Sequence, residues 1–194
     1  QTNGFPLHRH NVFFSRDYAA EFESICRQGR LPEEPTIYVC AQDRDEAGAA
    51  PAGPERLLIL VNAPPCGDRP AFPPEEIETC LRRSLARMAH CGLEIALQRE
   101  AMLTTQASDW EALFPATGGG LYGRSTHGAM ASFNRPGSRS RLPGLYGTGG
   151  SVHPGPGVPM VALSGLLAAQ SVVADLASTS RSRPAAMSGG MSTR

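Results

Sequence analysis

TIYVCA (36–41) and RLLILVN (56–62) are two short runs of β-branched and aliphatic residues, and the stretch between them, QDRDEAGAAPAGPE (42–55), is polar and rich in Ala, Gly and Pro. Two apolar runs joined this way read as a β-hairpin with a long exposed loop. Upstream, HNVFFS (10–15) is a further short strand. RDYAAEFESICR (16–27) carries Tyr18, Phe22 and Ile25 at helical spacing, with Gly29 to end the helix and Pro32 just beyond. Downstream, Pro73 and Pro74 precede an amphipathic helix over about 75–91. Its apolar stripe is Ile77, Leu81, Leu85 and Met88, its arginines 82, 83 and 87 face elsewhere, and Gly92 is its C-cap. The fold class is therefore α+β, a mixed or antiparallel sheet with helices, and not a helical bundle.

Beyond the long helix, LEIALQREAM (93–102) reads as a strand, although its composition also suits a helix. Ser108 is placed to cap a short helix, SDWEALF, which Pro115 stops; Asp109 and Glu111 are read as its first-turn acids. ATGGGLYGR (116–124) is an irregular loop leading into an extended stretch through Phe133. NRPGSRSRLP (134–143) is polar and turn-like, a crossing between structural units. A short strand (145–148), a loop (149–158) and a helix (159–177) follow, and the remaining tail is low in apolar residues and reads as disordered.

Composition narrows the function classes. The chain has 194 residues, 41% of them hydrophobic, enough to build a packed core. Its 18 basic and 18 acidic residues cancel, and every basic residue is Arg. A neutral chain with scattered arginines offers no nucleic-acid footprint. The five cysteines, at 26, 40, 66, 80 and 91, form no C-x-x-C pair and are read as buried reduced thiols. His8 and His10 lie near each other on a strand without a third ligand, so no metal site is assigned. No uncharged apolar run reaches about 18 residues, which gives no membrane span.

The richest local chemistry is LYGTGGSVHPGPGVPMVALSGLLAA (145–169). Gly147, Gly149 and Gly150 permit positive φ and remove Cβ atoms, so another group can approach the main chain closely. Pro159 suits the first turn of a helix. Amides from Met160 onward would then be unpaired at the positive end of the helix dipole, which favours an anion or a ring that becomes anionic. Ala162, Gly165 and Ala169 would give that helix a flat face. Read from its residues alone, the segment is equally well a tight strand-turn-helix connection.

This stretch resembles the carboxy-terminal signature of the flavin-dependent carotenoid desaturases, the bacterial phytoene-desaturase-like branch of the amine-oxidase-type flavoproteins: a short strand, Gly-x-Gly-Gly or similar, Ser/Thr-His-Pro-Gly-x-Gly-x-Pro and a small-residue helix, the core His-Pro-Gly-x-Gly-x-Pro standing here at 153–159. HRHNVFFSRDYAAEF, PTIYVCAQDR, ERLLILVNAPPCGD and the segment LFPATGGGLYGRSTHGAMASFNRPGSRSRLPGLY are similar, in the same order, to segments of the hydroxyneurosporene and methoxyneurosporene desaturases of that branch. The resemblance implies that residues 1–142 are a substrate-binding domain portion. Residues 143–178 would be the final strand-loop-helix of an FAD-binding Rossmann-like domain, α/β in the parent protein, and 179–194 a disordered tail. It also implies an FAD site. Gly149, Gly150 and Ser151 would lie on the ribityl-pyrophosphate side, and Val158, Pro159 and Met160 would set the helix start under the flavin pyrimidine edge. His153 and Gly157 belong to the loop between them. His10 falls where the family often has a histidine, against flavin or within the substrate domain.

The implied reaction introduces C=C bonds into an acyclic, hydroxylated carotenoid, in the cytoplasm and peripheral to the inner or photosynthetic membrane. No catalytic residue is assigned, since no acid–base pair is visible, and the oligomeric state is open. The family's amino-terminal G-x-G-x-x-G has no match here, and GGGLYG (118–123) shares only its glycine content. The chain is therefore expected to be the carboxy-terminal portion of a longer enzyme, inactive and unable to retain FAD when isolated. The alternatives are another flavoprotein oxidase or isomerase of the same fold, and a catalytically inert binding module.

Overall fold

The computed structural model describes residues 2–45, 47–120, 122–123 and 130–181, and the chain divides into two units, Gln1–Leu121 and Tyr122–Arg194. The first unit runs β1 (Thr2–Asn3), β2 (His10–Phe13), α1 (Tyr18–Glu23) continuing as a π-helical turn (Ser24–Gln28), β3 (Ile37–Ala41) and β4 (Leu57–Val61). It then continues with α2 (Pro74–His90), β5 (Glu94–Ile95), a 3₁₀ turn (Arg99–Ala101) and α3 (Ala107–Leu113). β2, β3 and β4 form an antiparallel sheet in chain order, while β1 pairs antiparallel with β5. The expected hairpin is present, with Ile37 opposite Val61 and Ala41 opposite Leu57.

Alternation along the strands sorts the sheet into two faces. Phe13, Ile37 and Val39 point inward and join Leu7, Met88 and Leu93 in the core, with Leu57, Ile59 and Val61 of β4 packed against them. Met88 is the innermost residue of the α2 stripe; Ile77, Leu81 and Leu85 are half-buried. The helix also buries Cys80 and Ser84. Of the apolar residues expected at helical spacing, Ile25, in the π-helical turn, reaches the interior, while Tyr18 and Phe22 of α1 stay exposed. Glu21 holds α1 to the sheet instead. It is buried, and its carboxylate accepts hydrogen bonds from the Thr36 amide (3.0 Å), the Thr36 hydroxyl (2.6 Å) and the Asn62 amide group (3.0 Å).

Several expectations need correction. The strand over 93–102 is confined to Glu94–Ile95, because β1 offers it only two residues to pair with. Ser108 does not cap α3: Gln106 and Asp109 form a reciprocal capping box, in which the Asp109 carboxylate accepts from the Gln106 amide at 2.7 Å. Glu111 is not a first-turn acid either. Its carboxylate accepts the amides of Ala116 (2.6 Å), Thr117 (3.1 Å) and Gly119 (3.0 Å), and these bonds, that of Ala116 foremost, hold its pKa below the ordinary value. Gly118 and Gly119 have positive φ, and a Cβ on Gly119 would run into the Ala107 carbonyl. The glycine-rich loop thus encloses its own side-chain anion. All five cysteines are free, but only Cys40 and Cys80 are buried. The extended stretch before Phe133 lies largely outside the described residues, as does the tail from 182 onward.

In the second unit a 3₁₀ turn (Ala131–Asn134) and an irregular loop precede α4 (Val158–Arg181). The strand expected over 145–148 is reduced to one bridge, Tyr146 to Arg139. The bonds flanking that bridge run from the Gly147 amide to the Ser138 carbonyl (2.8 Å) and from the Ser140 amide to the Leu145 carbonyl (3.2 Å), so 134–143 supplies the opposite arm. α4 runs past its expected end. By length and composition it is apolar enough to cross a membrane, because Asp175 alone interrupts Val158–Ser178. Length and composition do not separate a span from a helix with an uncovered face.

One buried ion pair ties the long hairpin loop into the first unit. Arg44 donates through Nε to Glu55 at 2.6 Å, with side-chain exposures of only 9% and 4%. Its other nitrogens reach the Leu7 carbonyl (2.9 Å), the Gly48 carbonyl (3.1 Å) and the Thr2 hydroxyl (3.0 Å). Arg44→Met, which strands the Glu55 carboxylate, is expected to cost about 3 kcal/mol in urea unfolding of the chain. Replacing both partners by Met should restore most of that. The hydrogen bond from Arg44 holds the Glu55 pKa below the ordinary glutamate value. Its contribution is therefore full above that value and is lost as pH falls through the folded-state pKa. A Glu55→Met variant should flatten this acid limb of the stability profile.

Candidate functional site: the glycine loop at the head of α4

The loop from 147 to 157 is held by main-chain bonds on one side and by α4 on the other. The Val152 amide donates to the Gly149 carbonyl (3.1 Å) and the His153 amide to the Pro136 carbonyl (2.8 Å). Arg135 donates to the Gly150 carbonyl at 2.6 Å. Val152 is the loop's buried anchor. Gly149, Gly155 and Gly157 have φ of +112°, +124° and +105°, values that side chains other than glycine rarely adopt. The reasons for glycine differ among them. A Cβ on Gly155 would lie 3.2 Å from Arg135 Nε, whereas at Gly149 and Gly157 it would meet nothing within 4 Å. Those two are glycines for their backbone angle, with open space beside them.

The candidate residues fall into two groups. Gly157, Val158, Pro159 and Met160 form the tip where the chain enters α4; the Gly157 carbonyl accepts the Val161 amide at 2.8 Å. Val158 is 87% exposed and Met160 is exposed beside it. The first amides of the helix have no acceptor within it, which leaves a positive end facing outward. Gly149, Gly150 and Ser151 lie farther back, Ser151 against Gly123, where a Cβ would clash with its hydroxyl. His153 is in neither place. Its exposed ring lines a shallow groove of roughly 490 Å³ along the side of α4, with Ser138, Arg139, Leu167 and Gln170.

The residues that fix this arrangement were not among the candidates. Ser164 is fully buried on α4 and accepts the Gly149 amide at 3.1 Å. Asp175, three turns on, binds Arg139 (3.0 Å) and the Tyr146 hydroxyl (2.8 Å). The packed side of α4 is thus Ser164, Ala168, Ser171 and Asp175, while Ala162 and Ala169 of the expected small-residue face are exposed. Polar residues at i, i+7 and i+11 in an otherwise apolar helix were the legible sign of that side. The hydrogen bond from Arg139, then that from Tyr146, keeps the Asp175 carboxyl below its ordinary pKa; the same bond to Asp175 raises that of Tyr146.

No protein-family model matches the chain. The chain is 59% identical, over all 194 residues, to hydroxyneurosporene desaturase of Rubrivivax gelatinosus, and spans 37% of that protein. It is 47% identical over 181 residues, 93% of the chain and 36% of the relative, to hydroxyneurosporene desaturase of Cereibacter sphaeroides. To the 1-hydroxycarotenoid 3,4-desaturase of a Flavobacterium species it is 32% identical over 170 residues, 85% of the chain and 34% of the relative. The resemblance drawn from the loop and the ordered segments is borne out along the whole chain, which spans little more than a third of these curated relatives.

Ser164→Ala is expected to lower the stability of the chain by about 1 kcal/mol, by leaving the Gly149 amide unpartnered. Asp175→Asn should return the Tyr146 phenol toward the ordinary tyrosine value, read as an earlier tyrosinate transition in an ultraviolet pH titration.

Proposed function

We propose that this chain is part of an FAD-dependent carotenoid desaturase that introduces C=C bonds into an acyclic hydroxylated carotenoid during carotenoid biosynthesis. The observation that carries the reading is the 59% identity to a hydroxyneurosporene desaturase along all 194 residues, on a chain whose SVHPGPGVP loop opens onto an exposed helix start.

The loop fits the flavin. Gly149 and Gly157 leave space that a Cβ would occupy, and the head of α4 presents unpaired amides next to that space. In this reading Gly149, Gly150 and Ser151 hold the ribityl-pyrophosphate side, and the turn through Gly157, Val158, Pro159 and Met160 lies against the pyrimidine edge. FAD, when bound, supplies hydride acceptance from a saturated carbon of the substrate. The amides at the head of α4 stabilise negative charge at that edge, and the fixed φ of Pro159 keeps them aimed. His153, on the flank of α4, braces the loop through its main-chain bond to Pro136. The substrate is an apolar polyene, so the reading places the protein in the cytoplasm at the surface of the inner or photosynthetic membrane, where such a molecule is held.

Gly157→Val separates this role from a merely structural one. The open space around Gly157 means that the substitution acts through its backbone angle, at a cost of about 1–3 kcal/mol confined to the loop. In the protein that carries this chain, bound flavin per polypeptide is expected to fall at least tenfold while the thermal midpoint of the flavin-free form moves by only a few degrees. Normal flavin content would remove the loop from the site. The 194-residue chain alone should purify without flavin absorbance. The activity itself is read as a red-shifted absorption and a loss of two mass units per bond when the whole protein is given FAD and a 1-hydroxylated acyclic carotenoid.

A further inference from the structure

The charges of the chain cancel overall but not within the second unit. Residues 122–194 carry seven arginines and a single acidic residue, Asp175. That carboxylate binds Arg139 and the Tyr146 hydroxyl. Arg135 has no such partner: among the described residues no acidic side chain forms an ion pair with it. It is nevertheless half-buried, and the glycine loop fixes its place. Arg135 Nη1 donates to the Gly150 carbonyl at 2.6 Å, and Nε and Cδ lie across Gly155, where a Cβ would come within 3.2 and 3.4 Å of them. The Pro136 carbonyl accepts the His153 amide at 2.8 Å. Residues 135 and 136 therefore grip the turn 150–155 through a side chain and a main-chain group together. A cation withdrawn from water is costly unless it meets an anion. A guanidinium has five N–H donors, and the Gly150 carbonyl engages one of its nitrogens.

We propose that Arg135 holds a phosphate group of the ligand that occupies the glycine loop, which in the flavin reading is one phosphate of the FAD pyrophosphate. The inference rests on that reading and goes beyond it by naming a residue outside the loop and the chemical group it recognises. The positive charge of the whole unit draws anions toward it without positioning them. Arg135 differs from the unit's other arginines in being built into the loop, with its fork oriented by the Gly150 carbonyl and with Gly155 lacking the side chain that would displace it. A planar guanidinium matches the oxygens of a phosphate in a two-pronged contact that an ammonium cannot reproduce. Pyrophosphate within FAD and free inorganic phosphate share this chemistry, and the experiment separates them. It also separates phosphate binding from the rival role, a brace that only keeps the loop in shape.

The experiment titrates the flavin-free whole protein with FAD and with riboflavin, which has the same ring system and no phosphate, and reads both dissociation constants from flavin fluorescence. Arg135→Gln is expected to weaken FAD about tenfold and leave riboflavin unchanged, because it removes charge-assisted hydrogen bonds to the phosphate alone. Arg135→Lys keeps the charge without the fork and should weaken FAD about threefold, again sparing riboflavin; it decides the matter if the Gln variant does not fold. Arg141→Gln, at an exposed arginine of the same unit, should leave both constants unchanged. A parallel loss of FAD and riboflavin overturns the proposal, since that is the mark of a brace. Unchanged FAD binding overturns it too, as does an equal loss in Arg141→Gln, which would reduce the effect to the charge of the unit. If the unmodified protein binds neither flavin, the flavin reading fails, and inorganic pyrophosphate then decides: a rise of the thermal midpoint that Arg135→Gln abolishes supports a site for free phosphate, and no rise overturns the proposal.

Discussion

The inner face of β3 holds the first unit together. Ile37 and Val39 are completely excluded from water, with β2 on one side, β4 on the other and Met88 of α2 joined to the same cluster. Burying large side chains of this kind is worth about 1.5–3 kcal/mol each, and only a strand with both neighbours in register can bury them this way. Since successive residues alternate, fixing Ile37 and Val39 inward fixes Tyr38 and Cys40 outward. The outer face is thus a consequence of the core: a shift of one residue in β3 would exchange the two sets.

The loop at the head of α4 obeys a different economy. It has little regular structure, and its conformation is set by a few polar contacts to fixed points: Gly149 to Ser164, Gly150 to Arg135, His153 to Pro136. The glycines there are of two kinds, one required by a neighbour and two required only by their backbone angle. A loop that must accommodate a cofactor closely would need glycines of the second kind, free of contacts within the chain. Asp175 and Ser164 serve this loop from within an apolar helix, which explains why such a helix tolerates them.

Much of the fold was legible because it rests on alternation and helical period. The hairpin, the long amphipathic helix and the helix after the glycine loop all stand where those patterns place them. What was not legible depends on partners distant in the chain. The run 93–102 has strand composition along its length, but two residues of β1 limit its ladder to two pairs. Ser108 has the right chemistry for a cap, yet the backbone at Gln106 has the extended angles a cap needs. The small-residue spacing on α4 pointed to one side of the helix, and the buried side is defined by Ser164 and Asp175, whose partners lie 15 and 36 residues upstream. Of the site itself, the sequence revealed the loop and its glycines but not the residues that hold them.

The loop before the first unit's end carries a lesson about glycine motifs. A run of consecutive glycines with positive φ aims several amides at one point, and in nucleotide-binding proteins that point holds a phosphate. Here the point is already taken by the carboxylate of Glu111. The helix that delivers Glu111 also presents the Ala107 carbonyl that forbids a side chain at Gly119. Loop and carboxylate therefore form a closed lock whose key is part of the same chain. Neither half can change in isolation: shortening the glutamate would leave three amides converging on nothing, and enlarging the glycine would push the helix away from the loop it plugs.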